Sequence, residues 1–168
     1  LYVFQYREHI YEIFEEICGA RLTTNIGRIG GLERDFNDIA FAKINKFLKE
    51  FPVALKEFES LLNRNRIFID RTAGVATVTP EMALSYGWTG PLLRATGVDY
   101  DVRVSEPYSS YQDFDFEVPV GTSGDIYDRY LVRNEEMWQS VRIIEQALEK
   151  LKSEPKGVFH ADVPAFYL

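Results

Sequence analysis

Few residues in this sequence have the type and spacing that chemistry requires. The single cysteine, Cys18, allows no disulfide within the chain and no zinc or iron–sulfur site built from this sequence alone. It lies between an isoleucine and a glycine, so we expect a small buried residue rather than a reactive thiol. His9 and His160 are far apart and lack the spacing of metal ligands. The sequence therefore predicts no metal site and no catalytic residue.

Two further groups of residues resemble functional motifs only superficially. The glycine-rich residues 27–31 (GRIGG) lack the spacing of a dinucleotide fingerprint, and no Lys-Ser/Thr pair of a phosphate loop follows them. We favour a structural loop whose glycines let the backbone approach a neighbouring surface closely. Asp125, Asp128 and Arg129 cluster where a helix should begin. Paired acids can serve a hydrolase, but stabilisation of the helix start is the favoured interpretation.

The elements that position these residues are predicted to be mainly helices. The spacing of apolar residues indicates a first helix over residues 3–18, central helices over 37–50 and 52–63, and a long closing helix over 125–151. Pro52 suits the first turn of the third of these helices. A brief helix should begin at residues 79–81 (TPE) and end at a glycine, residue 87.

Period-two alternation of apolar and polar residues predicts strands in the middle of the chain. These strands are expected at residues 67–69, 75–78, 98–105 and 113–120. The sequence as a whole is predicted to be a single α+β segment, mainly helical, in which helices flank a small mixed β region. We divide it into a helical part (1–65), a β-rich part (66–121), a long helix (122–152) and a tail (153–168).

One arginine stands out on the closing helix. Arg133 falls inside the apolar stripe of this helix, and a guanidinium there must reach solvent or find a carboxylate. An ion pair within the chain is the favoured interpretation, and contact with a partner subunit is the alternative.

Composition excludes two classes of function. With 19 Lys and Arg against 26 Asp and Glu, the net charge is −7, which argues against a nucleic-acid-binding surface. No apolar run exceeds four residues, so a membrane span is not predicted. We expect this sequence to be a piece of a longer chain. Separated from its remainder, it should form oligomers or expose a large apolar patch.

Four stretches of the sequence carry a family resemblance. They are RIGG at 28–31, FPVALKEFESLLNRNRIFIDRTAGV at 51–75, YGWTGPLLRATGVDYDVR at 86–103 and the text from PYSSYQDFDF to RIIEQAL at 107–148. Together they span nearly the whole chain, which is far more specific than any short motif. The sequence resembles the family of D-type subunits of NADH-quinone oxidoreductase, or respiratory complex I. That family is similar to the large subunits of nickel–iron hydrogenases, and the resemblance implies part of such a fold.

The resemblance implies a subunit of the peripheral arm that forms the quinone-reduction site beside the terminal iron–sulfur cluster. A small partner subunit would carry that cluster, and electron transfer from NADH would be coupled to proton translocation. Quinone, FMN and the clusters would belong to the assembled complex, with no cofactor bound by this segment. The complex would lie at the cytoplasmic face of the bacterial inner membrane. The family's quinone-site residues fall outside this segment, which is therefore expected to be inactive alone.

Two alternatives to this function stay open at the level of sequence. The first is a subunit of a hydrogenase-type complex, whose metal-binding cysteines would lie near the two ends of the full chain. The second is a structural scaffold subunit without a quinone site.

Two loop positions are implied to lie near the cluster. Aligned on residues 19–21 (GAR) and 28–31 (RIGG), Thr23 occupies the position where many members carry a histidine beside the cluster, and Arg28 matches the loop arginine. Threonine cannot titrate near neutral pH, so we expect a cluster potential that is low and depends weakly on pH, suited to menaquinone. The alternatives are that Thr23 is merely tolerated and that Arg28 forms an ordinary ion pair.

Trp138 is a further departure from the family pattern, because a basic residue is common at its position. It is predicted either to anchor a subunit interface or to pack within its own chain. With Arg133, it forms the pair of candidate interface residues.

Overall fold

The computed structural model describes residues 2–154 and 157–164, and it is mainly helical. The helices are α1 (Tyr2–Cys18), α2 (Asp38–Leu62), α3 (Arg66–Thr72), α4 (Pro80–Ser85), α5 (Gly90–Arg94), α6 (Val102–Ser105) and α7 (Ile126–Ser153), with a 3-10 turn at Tyr111–Asp113. Strands β1 (Gly27–Arg28) and β2 (Gly31–Leu32) form a small antiparallel sheet. The predicted fold class, mainly helical with a small β region and a long C-terminal helix, is confirmed.

The chain divides into two compact units. Unit 1 consists of Leu1–Ala54 and Lys150–Leu168, and unit 2 consists of Leu55–Glu149. Helices α2 and α7 contribute residues to both units.

Unit 1 contains α1 and the first part of α2. Phe51 stacks on Phe47 at 4.8 Å between ring centroids, and the ring of Tyr6 lies 5.7 Å from that of Phe51. The same two helices are also joined by an ion pair between Glu16 and Lys43 at 3.0 Å. Aromatic packing therefore holds α1 on α2, because stacked and tilted rings add to the free energy of apolar burial.

Apolar side chains also remain exposed in unit 1. Phe4, Leu22 and Ile29 are 62%, 73% and 64% exposed. A large contiguous apolar patch stays a prediction, because these exposures are those of single residues. Oligomer formation stays a prediction.

Unit 2 is organised around the start of α7. The Asp125 carboxylate accepts hydrogen bonds from the amide of Asp128 at 2.8 Å and from the amide of Gly74 at 2.7 Å. The predicted capping role of this acidic cluster is thus confirmed, and the cap also fixes the turn after α3. The buried apolar core of the unit consists of Leu55, Ala83, Leu93, Ala95, Val132, Val141 and Leu148.

The boundaries of three predicted helices agree with the structure. Helix α1 ends at Cys18, and α7 begins one residue after Asp125. Helix α4 has Thr79 as its N-cap, with the hydroxyl accepting from the amide of Met82, and Pro80 in its first turn. Cys18 itself is half-buried, and its thiol donates to the carbonyl oxygen of Phe14 at 3.0 Å.

The prediction of two central helices was wrong, because Pro52 lies inside the continuous helix α2. Proline removes one backbone hydrogen bond from a helix interior. Phe47 before it and Ala54 and Leu55 after it are all at most 5% exposed. Burial on both sides of Pro52 offsets the missing bond, so the helix continues through it.

The prediction of a β-rich part over residues 66–121 was also wrong, because this part, all of which the structure describes, contains helices and no strand. Its first expected strand, residues 67–69, lies in α3, because Asn65 caps that helix by accepting from the amide of Phe68 at 3.2 Å. Residues 75–78 form a bend and an irregular stretch after the turn at residues 73–74, and Ala76 in this bend has a positive φ of 51°. The local capping and turn chemistry outweighs the β-propensity of these short apolar runs.

The two longer strands of that prediction do not form in the described residues 98–120 either. Residues 102–105 lie in α6, with the Asp101 carboxylate accepting from the amide of Arg103 at 2.9 Å. Residues 114–120 pair with no strand in the described chain. The side chain of Gln146 on α7 instead bonds both the amide and the carbonyl of Asp115, at 2.8 and 2.7 Å. A helix therefore supplies the partners that a second strand would have supplied.

Candidate functional site

The glycine-rich loop of unit 1 is a tight hairpin. Arg28 pairs with Gly31, and the turn between them is formed by residues 29 and 30. Gly30 and Gly31 have φ values of 98° and 145°, which favour glycine. A Cβ at Gly31 would collide with the carbonyl oxygen of Phe159. The prediction of a structural loop with close backbone approach is therefore confirmed.

A segment from the end of the chain covers this hairpin. The amide of Leu32 donates to the carbonyl of Phe159, and the amide of Ala161 donates to the carbonyl of Gly30, both at 2.9 Å. These bonds bring His160 opposite Gly31 in an isolated antiparallel bridge. Backbone hydrogen bonds thus hold the hairpin in place.

The two loop residues singled out by the sequence occupy this region. Arg28 forms an ion pair with Glu33 and donates to the carbonyl oxygens of Asn25 at 3.2 Å and Gly27 at 3.0 Å. Its side chain is still 42% exposed, so its charge also faces solvent. Thr23 is exposed, and no hydrogen bond to its hydroxyl is found among residues 2–154 and 157–164. The loop therefore presents one paired cation and one hydroxyl at the surface.

The two candidate interface residues on α7 have different environments. Arg133 is exposed, and among residues 2–154 and 157–164 its guanidinium donates only to the carbonyl oxygen of Arg129, at 3.2 Å. The favoured internal ion pair of Arg133 is absent from the described part of the chain, which leaves its charge available to solvent or a partner. Trp138 is half-buried, and its indole N–H donates to Glu59 at 2.7 Å. Trp138 therefore packs within its own chain.

A buried ionic cluster in unit 2 was not predicted from the sequence. Arg94, with only 4% of its side chain exposed, forms ion pairs with Asp101 at 3.1 Å and with Glu136. Arg103 bonds the Asp101 carboxylate through two of its nitrogens, at 2.9 and 2.5 Å, and lies 3.1 Å from Glu136. Two guanidinium groups and two carboxylates thus join α5, α6 and α7.

The charges in this cluster reinforce one another. Burial alone would raise the pKa of Asp101, but the hydrogen bonds from Arg103 and the charges of both arginines hold it below its usual value. The bonds to Asp101 raise the pKa of Arg103 in turn. The Arg103 guanidinium also lies 4.9 Å from the ring centroid of Phe116. A cluster with balanced charges of this kind fixes helices in place and offers no free acid or base.

The sequence contains a pattern that indicates this cluster, but the alternation of apolar and polar residues led to a strand prediction there instead. Asp101 and Arg103 fall on the polar face of a predicted strand. Arg94 directly follows two leucines, so its immediate neighbours on one side in the sequence are apolar. A charged residue in an apolar helix next to an Asp-x-Arg motif is the pattern that would have indicated the cluster.

Neither a metal-ligand cluster nor a membrane-spanning helix is found in the described residues. No group of three or more His, Cys, Asp and Glu side chains there has the arrangement of a metal site. Within the same residues, no helix combines the length and the apolar character that crossing a bilayer requires.

These features define a mainly helical protein in which buried charges hold the helices together. A family model described as respiratory-chain NADH dehydrogenase, 49 Kd subunit, matches residues 1–167. The chain belongs to this family.

Similar proteins carry a consistent name. The chain is 70% identical over 168 residues to the second D-type subunit of NADH-quinone oxidoreductase from Cytophaga hutchinsonii, an alignment that covers all of this chain and 43% of the relative. It is 67% identical to the D-type subunit of Flavobacterium johnsoniae and 48% identical to that of Leptospira biflexa, again over the whole chain and over 40% and 41% of the relatives. The chain thus spans about two fifths of the length of the curated relatives it matches.

Proposed function

We propose that this chain is part of the peripheral-arm subunit that forms the quinone-reduction site of NADH-quinone oxidoreductase. The complex would transfer electrons from NADH to quinone and couple this reaction to proton translocation. The observation that carries the proposal is the collinear agreement of the whole chain with D-type subunits of this enzyme, at 70% identity to one relative. The agreement extends over the hairpin of unit 1 and the buried charges of unit 2 alike.

The cofactors of this reaction would be bound elsewhere in the complex. Iron–sulfur clusters need several thiolates, and this chain has one cysteine, which already donates to a backbone carbonyl. A small partner subunit would therefore hold the terminal cluster, and other subunits would bind FMN and NADH. Quinone would bind where this subunit and its partner meet, with menaquinone as the species suited to a low-potential cluster.

The hairpin loop is the part of this chain that we assign to the vicinity of the cluster. Arg28 and Thr23 are both exposed in this region, and the covering segment of residues 159–161 fixes the hairpin. A fixed positive charge beside a cluster stabilises its reduced state. The ion pair with Glu33 would weaken this effect of Arg28, and Thr23 would contribute a hydroxyl that does not titrate.

The complex would lie at the cytoplasmic face of the bacterial inner membrane. This subunit would reach the membrane only through its partners, which would include the cluster-bearing small subunit and the other subunits of the peripheral arm. No nucleic acid is expected among its partners, given a net charge of −7.

Capture from native membranes tests the proposal directly. An antibody raised against this segment would isolate the assembly, which would then be assayed for NADH-dependent quinone reduction and for the mass of the captured subunit. We expect a subunit more than twice 19.4 kDa, with activity that quinone-site inhibitors block. A captured assembly without NADH-dependent activity would contradict the proposal and favour a scaffold or hydrogenase-type role.

A further inference from the structure

A cleft in unit 2 is lined by carboxylates that have no cationic partner in the described part of the chain. It has a volume of about 440 Å³ and lies between the end of α2, the loop at residues 119–122 and the first half of α7. Glu59, Asp128 and Glu135 line it, and none of the three forms an ion pair within residues 2–154 and 157–164. Their neighbour Glu136, one residue further along α7, is paired with two arginines.

Neutral donors hold these three carboxylates in place. Glu59 accepts from the side-chain amide of Asn134 at 2.6 Å and from the indole of Trp138 at 2.7 Å. Asp128 accepts from the backbone amides of residues 122 and 123. Glu135 accepts from the side chain of Gln139 at 2.9 Å. The donors fix the geometry of the carboxylates without neutralising their charge.

A buried amide in the wall of the cleft lacks a donor. Asn134 is 5% exposed, and its side-chain nitrogen is committed to Glu59, because a carboxylate can only accept. With its nitrogen donating to Glu59, the side-chain oxygen of Asn134 can only accept a hydrogen bond. Its Oδ1 atom is buried and has no hydrogen-bond partner in the described chain. Buried polar atoms in folded proteins are nearly always paired, so this oxygen indicates a missing donor.

We propose that this cleft receives the ammonium group of a lysine from a neighbouring subunit of the complex. The acceptors come from separate positions on two helices, which suits the three divergent N–H donors of an ammonium better than the planar fork of a guanidinium. The net charge of −7 on this chain favours a partner surface of the opposite sign. The ammonium group of this lysine would supply a positive charge that pairs with the Glu59 carboxylate. It would also supply a hydrogen-bond donor for the side-chain oxygen of Asn134. Because the Asn134 oxygen is covered, docking requires side chains in the wall of the cleft to move.

This inference rests on the proposed function only in that other subunits surround the chain. Carbodiimide cross-linking of the intact, active complex tests it, because the reagent joins a carboxylate and a lysine amine in direct contact into an amide. Peptide mass spectrometry should find Glu59 or Glu135 joined to one lysine of another subunit. The double variant Glu59→Gln, Glu135→Gln should reduce this link at least tenfold, and the matched control Glu117→Gln, an exposed carboxylate of the same unit outside the cleft, should leave it unchanged.

Other outcomes would overturn the inference. One is a link from the cleft to a lysine of the same polypeptide. Another is the absence of any link, with a soluble amine modifying the cleft carboxylates in the complex as fast as it modifies Glu117. If the double variant fails to assemble, the inference is tested by the unmodified complex alone, through the presence or absence of the cross-link from the cleft to a lysine of another subunit. If the complex is active but the cleft forms no such cross-link, the lysine-binding inference is rejected and the proposed function stands. If the antibody captures this subunit without other subunits of the complex, the proposed function is rejected.

Discussion

The guanidinium of Arg94 contacts the carboxylate of Glu136, 42 positions further along the chain, where the two side chains are only 4% and 15% exposed. The contact joins a five-residue helix to the longest helix of the structure. With Asp101 and Arg103 it forms a cluster in which each charge has an opposite neighbour. Removing one member therefore leaves a buried charge without compensation.

Replacement of the buried arginine should be strongly destabilising. Arg94→Gln leaves Asp101 and Glu136 facing each other with a single cation, which typically costs about 3–5 kcal/mol in the free energy of unfolding. Urea unfolding of the purified full-length subunit measures this loss. The control Arg142→Gln removes an exposed pair with Asp115 and should cost no more than about 1 kcal/mol. Equal losses in the two variants would show that the Arg94 cluster does not stabilise the fold.

The same cluster predicts a dependence of stability on pH. The pKa of Asp101 is lower in the folded protein than its usual value, so its ionisation favours the folded state above the unfolded pKa. This contribution should be lost as the pH falls from about 4 through the folded pKa. Unfolding free energies of the subunit and its Asp101→Asn variant should therefore differ at pH 7 and converge as the pH falls below about 4. The exposed control Asp70→Asn should show no such convergence.

The hairpin provides a pair of glycines for a matched comparison. Gly31→Ala places a Cβ against the carbonyl of Phe159 and should break the hydrogen bonds that hold residues 159–161. Backbone strain of this kind costs about 1–3 kcal/mol. Gly27→Ala meets no atom closer than 4.0 Å and should be tolerated. Hydrogen exchange at the amides of Leu32 and Ala161 should accelerate only in the first variant, and unchanged protection there would contradict the prediction.

The proposed placement of Thr23 beside the terminal cluster yields a prediction about the potential of that cluster in the assembled complex. A redox titration followed by electron paramagnetic resonance should show a weak dependence on pH between 6 and 8. Thr23→His introduces a group that titrates in this range and should steepen the slope toward about 59 mV per pH unit. Thr24→His, one residue further along, is the control and should have no effect. A steep slope in the unmodified complex would contradict the assignment.

The sequence predicted two of the three longest helices well, because the apolar periodicity of α1 and α7 is sustained over several turns. Helices α1 and α7 begin and end within two residues of their expected boundaries. Side-chain caps were equally visible, since Thr79 and Asp125 each precede a helical run and bond its first turn. Local chemistry was therefore readable where the cap precedes a run with helical spacing, and it was missed at Asn65 and Asp101, whose caps precede runs that were predicted as strands.

The last segment of the middle of the chain was predicted wrongly because its hydrogen-bond partners are distant. Residues 114–120 alternate as a strand does, yet their partners are side chains of α7, about 30 positions away. Arg94 likewise gains its partners only when three helices meet. The periodicity of a single sequence predicts which face of a segment is buried. It does not predict which element of the fold packs against that face. The Glu59–Trp138 contact, 79 positions apart, was hidden for the same reason.

The attachment of residues 114–120 to α7 also bears on aggregation. An extended segment of alternating aromatic and polar residues with free amides is a template on which another chain can add a strand. Here the amides of Asp115 and Glu117 are occupied by the glutamine side chains of positions 146 and 139. A helix thus protects a β-prone segment without building a sheet. Solubility of this region therefore depends on two glutamines that no search for exposed strands would single out.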